Sequence, residues 1–291
     1  MSAEMDNEKT RAADWFRALR DDICAAFERL EDEQTEGPFA DLPPGRFERK
    51  ETHREGGGGG EMSVMRGRCF EKVGVNISSV HGELAPMAQK ALTARKEIPG
   101  LAEDPRFWAS GISLVAHMRS PKVPAVHMNT RMFWTPGAWW FGGGSDLNPM
   151  REVAEDTAFF HAELEKACAP HDPGYYPRFK EWADEYFMIR HWNEARGVGG
   201  IFYDDLNTGD WEADFAFTQD VGRAFLKAFV PLVEKRMFET WNDEDRQNQL
   251  FRRGRYAEFN LVYDRGTTFG LQTGHNPEAV LMSLPPLAAW P

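Results

Sequence analysis

The sequence predicts an α+β fold, in which helices cover a large antiparallel β-sheet within a single domain, residues 1–291. Segments that alternate apolar and polar residues with period two, as strands do, occur early and late in the chain. Segments with helical periodicity are clustered between them. Successive strands are joined by short turns, which connect antiparallel strands, whereas parallel strands need long crossovers. Strands and helices in separate blocks are typical of α+β domains.

The composition excludes several classes of protein. Charged residues make up 27% of the chain and hydrophobic residues 42%, which is ordinary for a globular protein. The formal net charge of −12 argues against a general nucleic-acid binder, which presents a basic face. The same charge does not attract an anionic ligand over a distance, so an anion site must be built locally from particular arginines and lysines.

Cysteines and apolar runs indicate a cytoplasmic location. The three cysteines, Cys24, Cys69 and Cys168, form no C-x-x-C pair, which fits a reducing compartment without a zinc framework. The N-terminal segment lacks the apolar core of a signal peptide, so we expect no signal or transit peptide. The chain has no run of 18 apolar residues, so we expect no transmembrane helix.

The N-terminal region, residues 7–34, is predicted to form an amphipathic helix. Its apolar residues recur at spacings of three and four: Phe16, Leu19, Ile23, Phe27 and Leu30. A connector is expected at 35–50, because proline and glycine are frequent there.

Five consecutive glycines, Gly56–Gly60, follow this connector. A phosphate-binding loop of the Walker type continues with Gly-Lys-Ser/Thr, whereas Glu61 and Met62 come next here, which argues against a P-loop. We expect a flexible loop between two elements; a lid over a nearby site is the alternative, since glycine hinges permit large backbone changes. Three further segments follow: predicted strands at 61–70 and 72–81, and a helical or irregular segment at 85–97.

The stretch from 111 to 149 is the most informative part of the chain. It predicts two strands joined by a Ser-Pro-Lys-Val-Pro link and followed by an aromatic, glycine-rich loop. Because strand side chains alternate between faces, one face collects the polar residues Ser113, His117, His127, Asn129 and Arg131. Such a face suits the binding of an anion and the movement of a proton. The alternative is an ordinary solvated strand face.

The predicted loop at 139–146 ends this stretch with three glycines and an aspartate. A tight turn is one interpretation of Gly142–Gly144. The other is a close approach of the backbone to a flat ligand, with Asp146 at its rim.

The second half of the chain predicts a block of helices and then a return to strands. Helices are expected at about 149–169, 177–196, 211–237 and 241–252, with a short strand at 200–206. Strands are expected at 256–264, 268–272 and 279–282, from short runs of alternation. The sequence Asp264-Arg265-Gly266-Thr267 is a turn signal and predicts a hairpin between the first two of these strands.

Histidines and charged residues offer several kinds of chemistry. Neutral imidazole binds several metals, and the candidate ligands are His117, His127, His161 and His191. None of their spacings is a short ligand motif, so the alternative is that each is a hydrogen-bonded structural histidine.

Arginines provide ligands for carboxylates. The candidates are Arg131, Arg253, Arg255 and Arg265, with weak exposed ion pairs as the alternative. Asp264 beside Arg265 is a candidate base that its neighbour keeps ionised. The alternative is that Asp264 only favours the turn.

Seven motifs, in order along the chain, resemble those of the oxygen-dependent coproporphyrinogen III oxidases: VGVNISSVHGE, HMNTRMFW, WWFGGGSDLNP, YPRFKEWADEYF, RGVGGIFYDDLN, RRGRYAEFNLVYDRGTTFGLQTG and LMSLPP. The resemblance extends from about residue 10 to the C-terminus. It implies oxidative decarboxylation of two propionates of coproporphyrinogen III to vinyl groups, which gives protoporphyrinogen IX. It also implies a homodimer built on a flat antiparallel sheet with helices on both faces, and molecular oxygen as co-substrate without flavin or haem.

The resemblance also implies roles for individual residues. The positions that match substrate-contacting residues of the family are Ser113, Asn129, Thr130 and Arg131. The positions that match catalytic groups are His127 as proton donor, Asp146, and the pair Asp264 and Arg265, which acts on a pyrrole N–H and holds a propionate. The positions that match ligands of a divalent metal in some bacterial members are His117, His127, His161 and His191.

One segment departs from the family pattern. After Gln-Thr many members have Gly-Gly-Arg, whereas this chain has Gly274, His275 and Asn276. One propionate contact therefore lacks its arginine, and these three residues remain candidates for substrate binding. The stretch at about 256–291 is similar to the dimer-forming region of the family.

These residues suggest a mechanism for the decarboxylation. Asp264 accepts a pyrrole proton, and Arg131 and Arg265 position the reacting carboxylate. His127 handles protons. Two alternatives remain open: a histidine–metal oxygenase acting on another substrate, and a non-catalytic tetrapyrrole-binding protein.

Overall fold

The computed structural model describes residues 4–272 and 276–290, and a seven-stranded antiparallel sheet forms its centre. The strands of the described chain are β1 (Glu48–His53), β2 (Gly58–Met65), β3 (Phe70–Glu83), β4 (Arg106–Met118), β5 (Ala125–Thr135), β6 (Ala138–Asn148), β7 (Met188–Ile189), β8 (Glu194–Ala195) and β9 (Gly200–Leu206). The order in the main sheet is β1-β2-β3-β4-β5-β6-β9, and each adjacent pair is antiparallel. Strands β7 and β8 form a separate small hairpin.

Helices cover both faces of the main sheet. They are α1 (Asp6–Glu33), α2 (Pro86–Thr93), α3 (Ala154–Cys168), α4 (Tyr175–Tyr186), α5 (Trp211–Arg236), α6 (Asp243–Val262), α7 (Arg265–Gln272) and α8 (Pro277–Val280), followed by a 3-10 turn at Leu281–Ser283. On one face α1 packs on β3 and β4, and α5 packs on β5 and β6. On the other face the 3-10 turn contacts β3 and β4, and Arg253 of α6 donates to the Met118 carbonyl at 2.9 Å. The predicted α+β fold is confirmed.

Helix α1 forms where its apolar spacing predicted it, and it anchors the core. The five apolar residues of its stripe are each at most 1% exposed: Phe16, Leu19, Ile23, Phe27 and Leu30. Phe27 stacks on Phe70 of β3, with 4.7 Å between the ring centroids. Full burial of such a side chain contributes about 1.5–3 kcal/mol, so this stripe fixes the helix on the sheet.

Most other predicted elements agree with the structure within a few residues. The strand at 200–206 is β9, and the helices at 211–237 and 149–169 are α5 and α3. The helix predicted at 177–196 ends early, at Tyr186, and the β7–β8 hairpin follows. Asn193 in that hairpin has φ 52°, a left-handed conformation that asparagine tolerates better than most residues.

Two glycine-rich segments that were predicted as loops are strands. Gly58–Gly60 opens β2, and Gly142–Gly144 lies within β6. Glycine weakens an isolated strand, which is why its presence predicted loops. Here the neighbouring strand leaves no room for a side chain, since a Cβ on Gly59 would lie 2.1 Å from the Thr52 carbonyl oxygen. The strand β1, which supplies that oxygen, was also missed; it begins within the connector predicted at 35–50 and continues to His53.

The C-terminal region is helical where strands were predicted. Of the segment at 256–264, the residues up to Val262 belong to α6. The segment at 268–272 lies in α7, and the segment at 279–282 spans the end of α8 and the 3-10 turn. The buried residues Tyr256, Phe259 and Asn260 are three and four residues apart, which is the spacing of one helix face. The same short segment also shows the alternation that predicted a strand. The hairpin predicted at 264–267 is instead the start of α7.

Among the residues that the structure describes, no helix combines the length and the apolar character needed to span a membrane.

Candidate active site

Polar residues of four strands meet on one face of the sheet, because the antiparallel register aligns them. Ser113 of β4 is opposite Asn129 of β5, and His127 of β5 is opposite Asp146 of β6. Gly144 of β6 is opposite Asn129, so no side chain rises there and the face is locally flat. We call the following residues the polar floor: Ser113, His127, Asn129, Arg131, Gly142, Gly144, Asp146 and Asp204.

His127 is held between a carboxylate and an amide. Its Nδ1 lies 2.8 Å from Asp146 Oδ1, and its Nε2 lies 3.2 Å from Asn129 Nδ2. An ionised carboxylate only accepts and an amide N–H only donates. These contacts therefore assign the proton of the neutral imidazole to Nδ1 and leave a lone pair at Nε2. That lone pair accepts from the Asn129 amide, so Nε2 can take up a proton only from a group that displaces this amide.

Asp146 is the buried end of this network. Its side chain is 2% exposed, and its Oδ2 accepts from Arg196 Nη2 at 2.7 Å and from Asn148 Nδ2 at 2.8 Å. Burial alone would raise the pKa of Asp146, but the charge of Arg196 and the hydrogen bond from His127 lower that pKa to about 2. Asp146 is therefore ionised at neutral pH, and it stabilises the imidazolium that forms when His127 takes up a proton.

Arg196 is a buried guanidinium that holds Asp146 in place. Its side chain is 3% exposed. Its Cζ lies 4.3, 4.5 and 4.7 Å from the ring centroids of Phe187, Tyr256 and Phe259. These rings exclude water from the pair, so the attraction between the two charges is stronger than at the surface.

Three further arginines gather around Asp204 of β9, whose side chain is 4% exposed. Arg131 Nη2 lies 2.8 Å from Asp204 Oδ1, and Arg95 Nη2 lies 2.6 Å from Asp204 Oδ2. Arg265 Nη2 lies 3.9 Å from the same Oδ2. Burial opposes ionisation of Asp204, but the charges of Arg131 and Arg95 outweigh it and lower its pKa. Arg131 Nη1 also donates to Asn129 Oδ1 at 3.4 Å, so the floor is continuous from its histidine end to its arginine end.

Aromatic rings form one wall of the floor. Tyr186 stacks on Phe202 with 4.4 Å between ring centroids, and the ring of Phe187 lies 6.3 Å from that of His127. The Arg265 guanidinium lies over the Tyr186 ring at 5.1 Å. A flat floor beside aromatic rings, with arginines at one end, suits a ring-shaped ligand that carries carboxylate arms.

Asp264 caps helix α7. Its Oδ2 accepts from the backbone N–H and the hydroxyl of Thr267 at 2.7 and 2.8 Å, and its Oδ1 accepts from the Tyr186 hydroxyl at 2.8 Å. A carboxylate in this position satisfies the free N–H groups at the start of a helix. These contacts favour the alternative that Asp264 has a structural role. They also position the next residue, Arg265, so that its guanidinium faces Asp204. The catalytic role of Asp264 stays a prediction.

The remaining predicted substrate contacts have different outcomes. The structure corrects one of them: the Thr130 side chain is fully buried on the opposite face of the sheet from Asn129, because successive residues of a strand alternate. The Asn276 side chain accepts from the Glu278 N–H at 2.9 Å and caps α8. Gly274 and His275 lie outside the described residues.

The four histidines of the predicted metal set are not brought together. Apart from His127, each bonds to its own protein partners: His117 to the Ser283 carbonyl, His161 to the Val198 carbonyl and the Tyr176 hydroxyl, and His191 to the Tyr263 hydroxyl and Glu258. Within the described chain, no three His, Cys, Asp or Glu side chains are grouped so as to hold a metal ion. The four histidines therefore do not fit a shared metal, and no step of the reaction is assigned to one.

Three residues of the site were not identified from the sequence: Arg95, Arg196 and Asp204. The last two lie within the motif RGVGGIFYDDLN, which supported the resemblance without a role for its charged residues. Their partners Asp146 and Arg131 are more than 45 residues distant in the chain, so only the β6–β9 pairing reveals the contacts.

Comparison with known proteins identifies the family. The model of the coproporphyrinogen III oxidase family matches residues 11–291. The chain is 54% identical over 286 residues to the oxygen-dependent coproporphyrinogen-III oxidase of Rickettsia bellii (strain RML369-C), with 98% of this chain and 99% of the relative covered. It is 52% identical over 280 residues to the enzyme of the same name from Rickettsia conorii (strain ATCC VR-613 / Malish 7), with 96% of each chain covered. This chain belongs to the coproporphyrinogen III oxidase family.

Proposed function

We propose that this protein catalyses the oxygen-dependent oxidative decarboxylation of coproporphyrinogen III, in which two propionates become vinyl groups and protoporphyrinogen IX is formed. The observation that carries the proposal is the polar floor, where a His–Asp pair and a cluster of arginines share one flat sheet face. The substrate presents the complementary groups: four carboxylates and four pyrrole N–H donors on a flexible macrocycle.

The overall reaction at each propionate is a two-electron oxidation. A hydride equivalent, that is one proton and two electrons, leaves the carbon next to the pyrrole ring, the electron pair of the bond to the carboxyl carbon forms the vinyl double bond, and CO2 departs. Molecular oxygen accepts the two electrons and becomes hydrogen peroxide with two protons, one from that carbon and one from the solvent. Oxygen is therefore a co-substrate, and the proposal includes neither flavin nor haem.

The arginine end of the floor holds the substrate carboxylates. The side chains of Arg131 and Arg265 are 38% and 47% exposed, so an incoming ligand can reach them. Charge-assisted hydrogen bonds of this kind contribute about 1.5–3 kcal/mol each. Asn129 lies between Arg131 and His127, and Ser113 lies opposite Asn129 on β4, where both contact the macrocycle. Holding the reacting propionate in a fixed place supplies much of the rate acceleration.

His127 handles the proton at the other end of the floor. A pyrrole N–H displaces the Asn129 amide from His127 Nε2 and gives its proton to that nitrogen, which raises the electron density of the pyrrole ring. The imidazolium that results is stabilised by Asp146, 2.8 Å from Nδ1. The sequence placed this role on Asp264. We instead propose that Asp264 orients Arg265 through the cap of α7, because its oxygens already accept three hydrogen bonds.

We also propose that the protein is a homodimer that assembles through its C-terminal region. Exposed apolar residues are concentrated within 256–291: Leu261, Val262, Phe269, Leu271, Leu287 and Trp290, each at least 43% exposed. A group of exposed apolar side chains marks an interaction surface. Analytical ultracentrifugation of Val262→Asp against the wild type tests this, and equal dimer content in both would contradict it.

The proposed location is the cytoplasm. The three cysteines are buried and free, which suits a reducing compartment. Fractionation of expressing cells, with detection of the tagged chain in each fraction, tests this proposal.

The experiment that tests the function is turnover of coproporphyrinogen III by the purified protein, in air and in an oxygen-free chamber. We expect CO2 and protoporphyrinogen IX in air and neither without oxygen. His127→Gln is expected to lose 100-fold or more of kcat, whereas His161→Gln, a histidine outside the floor, retains it.

Two other outcomes correspond to the alternatives. Tight tetrapyrrole binding without CO2 release would indicate a binding protein. Loss of activity in His117→Gln, His161→Gln and His191→Gln together with that of His127→Gln would indicate a histidine–metal oxygenase. The comparisons give no support to either alternative.

A further inference from the structure

Asp204 connects three arginines that come from different parts of the chain. Arg131 belongs to β5, Arg265 begins α7, and Arg95 follows α2. The two carboxylate oxygens are divided among them: Oδ1 accepts from Arg131, and Oδ2 faces both Arg95 and Arg265. A second carboxylate, that of Asp205, accepts from Arg95 at 2.6 Å.

The charges of this group do not cancel. Three guanidinium groups face two carboxylates, so one positive charge is in excess. The carboxylate of Asp204 is almost fully buried, while the side chains of Arg95, Arg131 and Arg265 are 39%, 38% and 47% exposed. Like charges held near one another repel, and an arriving anion relieves that repulsion. The group therefore presents positive charge to the outside and keeps its negative charge inside.

The backbone is shaped to bring this group together. The pairing of β6 with β9 shifts register between Phe141 and Gly143, and Asp205 has φ 56°, a conformation that residues other than glycine rarely adopt. Gly142 lies opposite the ion pair, where a Cβ would be 2.8 Å from Asp204 Oδ1 and 2.9 Å from Arg131 Nη2. The shifted register and the glycine beside it thus leave the space that the Arg131 guanidinium occupies.

We propose that Asp204 is a positioning residue that holds the three guanidinium groups as one carboxylate-binding site, and that Arg95 is a further ligand for a substrate propionate. The inference rests on the proposed function and extends it. Arg131 lies on the side of Asn129 and His127, so it holds the reacting propionate. Arg95, on the other oxygen of Asp204, holds a second propionate of the same macrocycle. Two propionates fixed side by side orient the ring over the floor.

Steady-state kinetics with coproporphyrinogen III separate this role from a merely structural one. Arg95→Met is expected to raise KM about tenfold or more with kcat within about twofold, because one charge-assisted contact to substrate is lost. Arg95→Lys is expected to recover part of that loss. Asp204→Asn is expected to raise KM and lower kcat together, because Arg131 loses the ion pair that fixes its position.

Matched controls exclude a general effect of lost ion pairs. Arg106 is 50% exposed and, like Arg95, pairs with two carboxylates, but it lies outside the floor. Asp156 has a side chain that is 4% exposed and pairs with Lys235 and Arg236. Arg106→Met and Asp156→Asn should leave KM unchanged. Unchanged KM in Arg95→Met, or an equal rise in Arg106→Met, would overturn the proposal.

Binding of coproporphyrin III, the stable oxidised form, distinguishes this proposal from the proposed function. Quenching of tryptophan fluorescence gives a Kd without turnover, and Arg95→Met is expected to raise that Kd about tenfold relative to Arg106→Met. If the wild type binds and shows no turnover, the catalytic function fails while the carboxylate site stands. Equal Kd values in the two variants would overturn the carboxylate site whatever the turnover.

A small, partly open cavity of about 10 Å3 lies beside Asn148 and Arg196, the partners of Asp146, and His117, Arg253 and Tyr256 also line it. Five lining residues carry a buried side-chain atom without a hydrogen-bond partner in the described chain: Nδ1 of His117, Oδ1 of Asn148, Nε of both arginines and Oη of Tyr256. His117 Nε2 donates to the Ser283 carbonyl and Asn148 Nδ2 donates to Asp146, so the other atom of each is an acceptor.

We also propose that this cavity binds one water molecule. The lining offers two N–H donors, two acceptors and a hydroxyl, a water satisfies up to four such partners, and the cavity volume is near the minimum that holds one. A metal cation at His117 would be repelled by the two guanidinium groups. Crystals soaked in Mn2+ and measured at high resolution test this: we expect a water within hydrogen-bonding distance of His117 Nδ1. An empty cavity, or an anomalous manganese peak there, would overturn it.

Discussion

The pair formed by His127 and Asp146 gives the most informative perturbation, Asp146→Asn. The substitution keeps the size of the side chain and removes its charge. The hydrogen bond to His127 Nδ1 then loses its ionised acceptor, and Arg196, 3% exposed, loses its counter-charge.

The size of both effects follows from the structure. Removal of one partner from a buried ion pair costs about 3–5 kcal/mol of the free energy of unfolding. We expect the lower end of this range, because Arg196 keeps a 2.8 Å hydrogen bond to Asn260 and its aromatic neighbours. The imidazolium of His127 loses its stabilising charge, and positioned acid–base groups contribute about 100- to 10,000-fold. We therefore expect kcat to fall within that range.

The assay is aerobic decarboxylation of coproporphyrinogen III, together with urea unfolding of each variant. Asp156→Asn is the matched control, because Asp156 is also a buried carboxylate that pairs with cations, between α3 and α5. It should lose stability and keep kcat. If folded Asp146→Asn kept kcat within threefold of the wild type, or if Asp156→Asn lost as much activity, the proton-handling role of the pair would be refuted.

Three further predictions concern stability and the shape of the floor. Burial and a neighbouring guanidinium lower the pKa of His117 to about 3. Between pH 6.5 and 3 the unfolded chain therefore binds a proton that the native chain does not, so the free energy of unfolding decreases as the pH falls through this range. In urea unfolding between pH 6 and 4, the free energy of unfolding should depend less steeply on pH in His117→Gln than in the wild type, by up to about 1.4 kcal/mol per pH unit. An unchanged pH dependence would contradict this. Buried Glu31 accepts hydrogen bonds from four backbone N–H groups, so Glu31→Ala should lower the free energy of unfolding by about 3–5 kcal/mol, and a loss below 1 kcal/mol would show that the loops rearrange. Gly142→Ala places a Cβ 2.8 Å from Asp204 Oδ1, so it should displace this carboxylate and lower kcat/KM at least tenfold, with little change in thermal unfolding. Kinetics equal to those of the wild type would show that the arginines tolerate such a displacement.

The polar floor could be predicted in part because strand alternation is a local property. The spacing of His127, Asn129 and Arg131 placed them on one face before any partner strand was known. The same rule placed Thr130 on the opposite face, and only its match to a family segment suggested a substrate contact. Asp146 was predicted at the rim of a ligand because glycines precede it.

The parts that could not be predicted depend on pairing between distant segments. The glycines of β6 suggested a loop, because glycine is unfavourable in a strand that lacks close neighbours. Arg196 and Asp204 acquire their partners only when β9 pairs with β6. Short alternation in α6 and α7 suggested strands, since a run of five to nine residues fits period two and period 3.6 almost equally.

The central claim is that the polar floor, with His127 and its arginine cluster, carries the reaction rather than a centre of four histidines. The most direct test is turnover of coproporphyrinogen III in air by protein that has been stripped of metal with a chelator, with CO2 and protoporphyrin measured and an oxygen-free control. We expect oxygen-dependent turnover near the rate of the untreated protein. Turnover that vanishes on stripping and returns with one divalent cation would contradict the claim and move the reaction to the histidines.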